Sequence, residues 1–444
     1  MTFSVILFTM LINAQTIPAP GLPEIKPLVP SQYPPSIDNL LLPTASQMPS
    51  SNINYQMRQN QQIMNEVEQH EKLRENAMKE ARADIAEMRS TIRYSLPEFS
   101  GMEGASFYRQ AFDKIVIDST YSVKNNNFLI ENAFFENKLD KDEFDKIIKN
   151  SGEFLMAKIK ESGYDPNSNA VKNFMLFQFF SGTLQLKNSK DKHLPFKYDF
   201  EDYMGVQDYS KMFVTKLLRT GSGQCHSMPL LYLILAEEIS ADAYLALSPN
   251  HSYIRFPDDN GKWYNVELTN GMFSTESYIS QSGYVKSEAL QNKIYMENLS
   301  KKEIIAQHLT DLAAGYIYKF GYDEFAQQVI DKALQLYPNS ITANLIQANI
   351  NTARFENVMG SLGINPRDNK QLQNIRNFPN AVVLLNQVNT QYALIDNLGY
   401  EHMPPEAYQR WLQLMKGEKQ KEENQAIERQ FKGLLGKPIK KLKD

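Results

Sequence analysis

The sequence predicts an α+β fold, a buried helix packed on an antiparallel sheet within a mostly helical chain, and three observations predict it. Leu230, Leu231, Leu233, Ile234, Leu235 and Ile239 form an apolar run too long for a strand and too uniformly apolar for a surface helix. The stretch from His251 to Leu268 alternates between two faces about a Pro257-Asp-Asp-Asn-Gly261 turn, the mark of a half-buried hairpin. On either side of these, apolar residues recur at helical spacing. With 444 residues, 42% of them hydrophobic, the chain is long enough for more than one domain. Its 47 basic and 51 acidic residues give a net charge of −4, which excludes a general affinity for nucleic acid.

From the N-terminus, residues 1–14 read as an apolar stretch ending at Ile12-Asn-Ala14, like the hydrophobic and cleavage parts of a secretory signal but without a basic start. Export, periplasmic or secreted, is the expectation, and the stretch is too short to be a transmembrane segment. Nine of the 21 prolines lie between Pro18 and Pro49, so residues 15–50 are expected to form an extended tether. Residues 51–97 predict one long helix ended by Pro97. Its stripe of Met78, Ala81, Ile85, Met88 and Ile92, spaced 3, 4, 3 and 4 apart, suits packing on a partner. Residues 105–215 read as several helices, with the Asn188-Ser-Lys-Asp loop and Tyr203 and Tyr209 as candidate cleft-rim positions.

The only cysteine, Cys225, stands in Thr220-Gly-Ser-Gly-Gln-Cys-His, where the glycines allow a tight turn into the apolar helix. A helix N-terminus favours a thiolate over a thiol, so the position suits a nucleophile. Pro229 is close enough to the helix start to be tolerated. The neighbouring His226 points elsewhere on the helix, which makes it a poor base and a structural or rim residue. A metal site built from Cys225, His226 and His251 lacks a fourth ligand, so no metal and no cofactor is expected. His70, His193, His308 and His402 read as surface or satisfied core residues. A lone cysteine is more often a small buried hydrophobe than a nucleophile, and only the residues downstream reverse that reading.

Two hairpin registers compete. If residues 257–261 form the loop, Phe256 pairs with Lys262 and His251 falls opposite Glu267. One face then carries His251, Tyr253, Arg255, Trp263, Asn265 and Glu267, and the other is nearly all apolar. If Asn260-Gly261 makes a two-residue turn, Ile254 faces Glu267 and both faces become mixed. Burial of one clean face selects the first. The layout is then a thiol, its imidazole base and a carboxylate to orient the base. Asn270 is the alternative orienter, and Tyr253 and Trp263 are candidate rim residues.

Gly223-Gln-Cys225 before a helix, His251 opening a strand and Glu267 ending the next resemble the transglutaminase-like superfamily of papain-type thiol enzymes. The resemblance covers roughly residues 210–350 and implies a papain/transglutaminase-like core. It assigns Cys225 as nucleophile, His251 as base and Glu267 as orienter, at a position where the family usually has Asp. The tryptophan that some members carry before the nucleophile is absent, which leaves the Cys225 N–H and the Gln224 side chain as candidate oxyanion donors. The stretch from Leu312 to Pro338 looks like a tetratricopeptide repeat, with Ala314, Ala326 and Ala333 at the helix contacts, and is expected to pack on the catalytic domain. Ala343–Phe355 could begin another repeat, and Asn386–Lys416 is helical without its spacing.

The expected organisation is a signal (1–14), a tether (15–50), a long helix (51–97), the thiol-enzyme domain (98–300), a helical hairpin (301–360) and a C-terminal helical region with a basic tail (361–444). The expected activity is hydrolysis of amide or peptide bonds through an acyl-thioester, since nothing announces a calcium loop or an amine channel for cross-linking. The expected substrate is a peptide or protein, cell-wall peptides included. A protein partner could engage the helical repeat or the 51–97 helix. The alternative is a non-catalytic scaffold that keeps the fold as a platform.

Overall fold

The computed structural model describes residues 50–117, 121–190, 192–276, 283–418 and 422–435. The signal-like stretch, nearly all of the proline-rich segment and the basic tail lie outside them. The described residues divide into two compact units, one holding Ser95–Asn357 with the chain from Val383 onward, the other the helix before Ser95 together with Val358–Val382.

The second unit contains the long helix α1 (Ser50–Thr91), which stops well before Pro97. In the first unit, α2 (Ala105–Ile117), α3 (Val123–Phe134), α4 (Lys141–Glu161) and α5 (Asn169–Ser181) follow one another. Their starts are written locally. Ser122, Asp140 and Ser168 each turn a side-chain oxygen onto an N–H of the first turn, satisfying donors that the helix leaves unpaired. Short strands β1 (Leu184–Gln185), β2 (Lys192–His193) and β3 (Lys197–Tyr198) lead to α6 (Val214–Thr220), β4 (Ser222–Gly223) and the buried helix α7 (Ser227–Glu238). Every residue of α7 from Ser227 to Ala236 is buried, as its all-round apolarity requires.

The main sheet is a four-stranded antiparallel meander of β5 (Tyr244–Ser248), β6 (His251–Pro257), β7 (Trp263–Glu267) and β8 (Met272–Ser274). Its apolar face, Ile254, Phe256, Tyr264 and Val266, is buried. The short α8 (Ser287–Gln291) precedes α9 (Lys301–Phe320), opened by a Ser300/Glu303 capping box, and α10 (Glu324–Leu336), capped by Asp323. These two are the helical pair expected around Leu312–Pro338, and Ala326 and Ala333 are wholly buried between neighbours. α11 (Ile341–Ser361) continues the array, linked to α10 by Gln327–Gln347 at 2.7 Å. After α12 (Asn369–Leu372) come α13 (Pro379–Asn397), α14 (Pro405–Glu418) and α15 (Glu422–Leu434).

The architecture is mixed α+β and mostly helical. One hydrophobic core runs through α2–α7, β5–β8, α9, α10, α14 and α15, so the helical pair and the C-terminal helices share the interior of the thiol-bearing part. No helix among the described residues is long and apolar enough to cross a membrane.

Candidate functional site

Cys225 is placed by a chain of local constraints. The buried carboxylate of Glu131 accepts from Val214 N–H at 2.7 Å and Thr215 N–H at 2.9 Å, an anion fixing the first turn of α6. Burial pushes that carboxyl up against the hydrogen bonds that favour its charge. At the other end of α6, Gly221 takes the left-handed conformation (φ 68°) and turns the chain into β4. β4 pairs in parallel with β3, Tyr198 opposite Gly223. A Cβ on Gly223 would come within 2.8 Å of Ser227 Oγ and 2.9 Å of Leu217 Cδ1, so only glycine fits there. Ser227 Oγ accepts from the Gln224 N–H at 3.0 Å and closes the turn that holds the sulfur. The first helical residue is Ser227, so Cys225 sits in the turn before α7, slightly ahead of the helix mouth expected from the sequence.

The tight turn Pro249-Asn250, with Asn250 at φ 55°, sets Ser248 opposite His251 and opens β6. The β6–β7 register matches neither sequence alternative. Pro257 pairs with Trp263, Phe256 with Tyr264 and Arg255 with Asn265, two positions away from the favoured pairing. The cause is at the loop: Asp258 joins it, and its N–H meets Lys262 O at 2.8 Å while Asp258 Oδ1 accepts from the Asn260 and Lys262 N–H groups. A shift of two keeps every side chain on its face. His251 and Glu267 therefore remain together, as diagonal rather than opposed neighbours, and His251 Nε2 lies 2.7 Å from Glu267 Oε2. Diagonal positions are about 7–8 Å apart at Cα, and the longer reach of Glu over Asp spans that gap.

With Nε2 engaged by Glu267, Nδ1 is the ring nitrogen left for the thiol. His251 Nδ1 lies 3.5 Å from Tyr408 Oη, and the Cys225 sulfur beside the ring favours its protonated form. All three groups are nearly out of water, at 9%, 6% and 2% exposure for Cys225, His251 and Glu267. Burial pushes the Cys225 thiol up, but the His251 hydrogen bond and charge, with the hydroxyls of Tyr408 and Tyr198, outweigh it and hold the thiol below its ordinary value. Burial pushes the imidazole down, and the Glu267 carboxylate and the Cys225 sulfur overcome this and carry it to about 10. Burial raises Glu267, and His251 and Thr269 bring it below the usual carboxylate range. The charged arrangement of thiolate, imidazolium and carboxylate is thus mutually stabilised.

The other sequence candidates fall elsewhere. Gln224 is fully buried and its Nε2 donates to Asp202 O, which commits the amide to that loop and away from an oxyanion role. Asn270 lies in the turn after β7, its Nδ2 3.2 Å from Met272 Sδ, and Glu267 is the residue that meets His251. Tyr253 is 1% exposed and so lies beneath the surface, not on a rim. Trp263 is exposed at the far end of β7, against Tyr244 and Arg255. His226 turns Nδ1 to Met212 O at 3.0 Å and Nε2 to Asp311 Oδ2 at 3.1 Å, so it ties α9 to the cysteine turn and joins no ligand set with His251. His308, read from the sequence as a surface or satisfied residue, is fully buried and neither ring nitrogen meets a partner.

Two residues unmarked by any motif complete the site. Tyr408 of α14 donates to Cys225 Sγ at 3.4 Å, and its oxygen lies 3.4 Å from Tyr198 Oη. Trp411, one turn on, packs edge-on to the His251 ring at 4.8 Å. Asn250 Nδ2 donates to Met403 O at 3.0 Å, so the segment leading into α14 is tied down beside the sulfur. The aromatic stretch is the one signal that reached this far: Tyr203 packs against Tyr408, ring centroids 5.1 Å apart and planes tilted by 44°. Beside this roof lies a cavity of 280 Å³ bounded by Asn250, Tyr203, Ala314, Ile317, Tyr392 and Tyr408 among others, with no Asp, Glu, Lys or Arg in its wall.

Comparison with protein-family models, with curated proteins and with solved structures returns no match to this chain.

Proposed function

We propose that the chain is a cysteine hydrolase of the transglutaminase-like, papain-type kind, cleaving amide or peptide bonds through an acyl-thioester on Cys225. The observation that carries this reading is the buried Cys225–His251–Glu267 line, with the imidazole held at 2.7 Å by a carboxylate on the neighbouring strand. A lone packing cysteine has no use for such a partner.

In this mechanism the Cys225 thiolate attacks the carbonyl carbon. The developing oxyanion draws on the Cys225 N–H and on the phenolic hydroxyls of Tyr198 and Tyr408. His251, already protonated, gives its Nδ1 proton to the departing amine as the C–N bond breaks, leaving the thioester. Water then surrenders a proton to His251 and attacks the thioester, releasing the acid and restoring the thiolate and imidazolium. Glu267 holds the ring's tautomer and its charge throughout. The uncharged cavity beside Tyr408 suits an apolar side chain next to the scissile bond, on a peptide or protein substrate.

The test is incubation of the full chain with a library of peptide amides and peptidyl electrophiles, followed by mass mapping. An acyl or alkyl adduct on Cys225, absent after His251→Ala, supports the enzyme. A second reading, a non-catalytic scaffold, is favoured by the roof that Tyr408 lays over the sulfur. It predicts no adduct and no turnover under any condition that leaves the fold intact.

A further inference from the structure

His226 follows the sulfur in sequence but stands outside the Cys225–His251–Glu267 line. Its backbone is helical (φ −93°, ψ −58°), so its ring leaves the chain about 100° round from the cysteine side chain, away from a base's position. What the ring faces fixes its state. Nδ1 lies 3.0 Å from Met212 O, and Nε2 lies 3.1 Å from Asp311 Oδ2. A carbonyl and a carboxylate oxygen have lone pairs and no proton to give, so each ring nitrogen carries its own proton and the ring is an imidazolium. Asp311 is itself held, since Gln307 Nε2 donates to its Oδ1 at 2.9 Å. Two further titratable groups stand close by. His308 of α9 is kept neutral by burial, and burial pushes Tyr209, beside Asp311, up and keeps it phenolic. Neither adds charge to the surroundings of the ring.

This cation has a use at the sulfur. Thiolate, imidazolium and carboxylate along Cys225, His251 and Glu267 sum to one negative charge held nearly out of water, where an uncompensated charge is costly. His251 cannot offset it at every stage, because acylation takes its proton away. His226 has no such duty. Asp311 meets the far nitrogen of the ring, so the cation and not its counter-ion adjoins the cysteine turn. Burial opposes the charge on the ring, and Asp311, Met212 O and the Cys225 sulfur together overcome it. We infer that His226 is a second, fixed cation of the thiol site, a positioning residue that moves no proton. It holds the resting sulfur ionised, and it eases the return of the C–S electron pair to sulfur when water cleaves the thioester. The second role rests on the thiol-hydrolase reading, while the first stands without it.

Thiolate absorbance of the full chain across pH, each variant read against its own Cys225→Ser counterpart, tests the first role without needing a substrate. His226→Gln keeps donors for Met212 O and Asp311 but removes the charge, and the thiol midpoint should move up by about one unit. The same upward step should appear when His226→Gln is added to His251→Ala, since the two cations act separately. His226→Arg restores a cation and should leave the midpoint near its native value. Asp311→Asn leaves the ring in place and removes its counter-ion, so it should move the midpoint in the same direction as His226→Gln and covers the case in which that variant does not fold. A low native midpoint that neither His226→Gln nor Asp311→Asn moves would overturn the inference and leave the hydrolase reading standing. Equal shifts for His226→Arg and His226→Gln would also overturn it, because the ring would then act through shape alone. An ordinary thiol midpoint in the native chain would remove both.

Discussion

Glu267 illustrates how a single methylene and a two-residue slip compensate. An opposed pair would have suited Asp. The diagonal pair that Asp258 imposes needs the longer acid, and Glu267 supplies it at 2.7 Å from the ring. Glu267→Gln removes the negative charge that sustains the imidazolium, so the His251 pKa falls and the thiol loses the cation that holds it ionised. Turnover should drop by about 10²–10⁴-fold and the thiol titration should move up, both measurable on a folded protein. His308 makes the opposite point. Burial pushes its pKa down to about 4, with Asp311 pulling it up and His226 down, and neither nitrogen is satisfied. A depressed histidine contributes stability above its unfolded pKa of about 6.5 that is lost as pH falls towards about 4. His308→Leu should therefore raise the thermal midpoint, and raise it more on the acid side of that window than at neutral pH.

Among the elements, α7 and the β6–β7 hairpin were legible because their signals are local: an unbroken apolar run, and alternation with one clean face. The face was readable where the register was not, since alternation fixes parity and only the Asp258 turn fixes the slip. α14 was not legible as part of the site. Tyr408 and Trp411 reach Cys225 and His251 across more than 150 positions of sequence, and nothing in Asn386–Lys416 marks which helix face would meet them. Gln224 misled for the complementary reason: its position beside Cys225 is visible in sequence, while the Asp202 carbonyl that takes its amide is not. Because α14 roofs the sulfur, Tyr408→Ala should speed alkylation of Cys225 by a small probe severalfold, while its emptied core site costs about 3–5 kcal/mol. Tyr408→Phe keeps the packing and loses only the hydroxyl, so it should leave access unchanged and raise the thiol pKa. Equal alkylation rates for native protein and Tyr408→Ala would show that the roof does not control access.

Over the whole molecule, the helical pair is tied to the thiol-bearing part by more than apolar contact. Burial opposes a charged His226, and Asp311 of α9, with Met212 O, overcomes it and brings the imidazole to about 9. A raised histidine contributes stability fully below its unfolded pKa of about 6.5 and loses it as pH climbs through about 9. Comparing native protein with Asp311→Asn, the native advantage in thermal midpoint should be greatest below that window and shrink across it. A constant difference would mean that the pair contributes no charge. The account as a whole depends on the ionised sulfur. The chain has one cysteine, so the ultraviolet thiolate absorbance of native protein minus that of Cys225→Ser reports on that group alone. The account predicts a titration midpoint well below the free-thiol value of about 8.5, moved upward by His251→Ala. A midpoint at or above the free value, unmoved by His251→Ala, would contradict it.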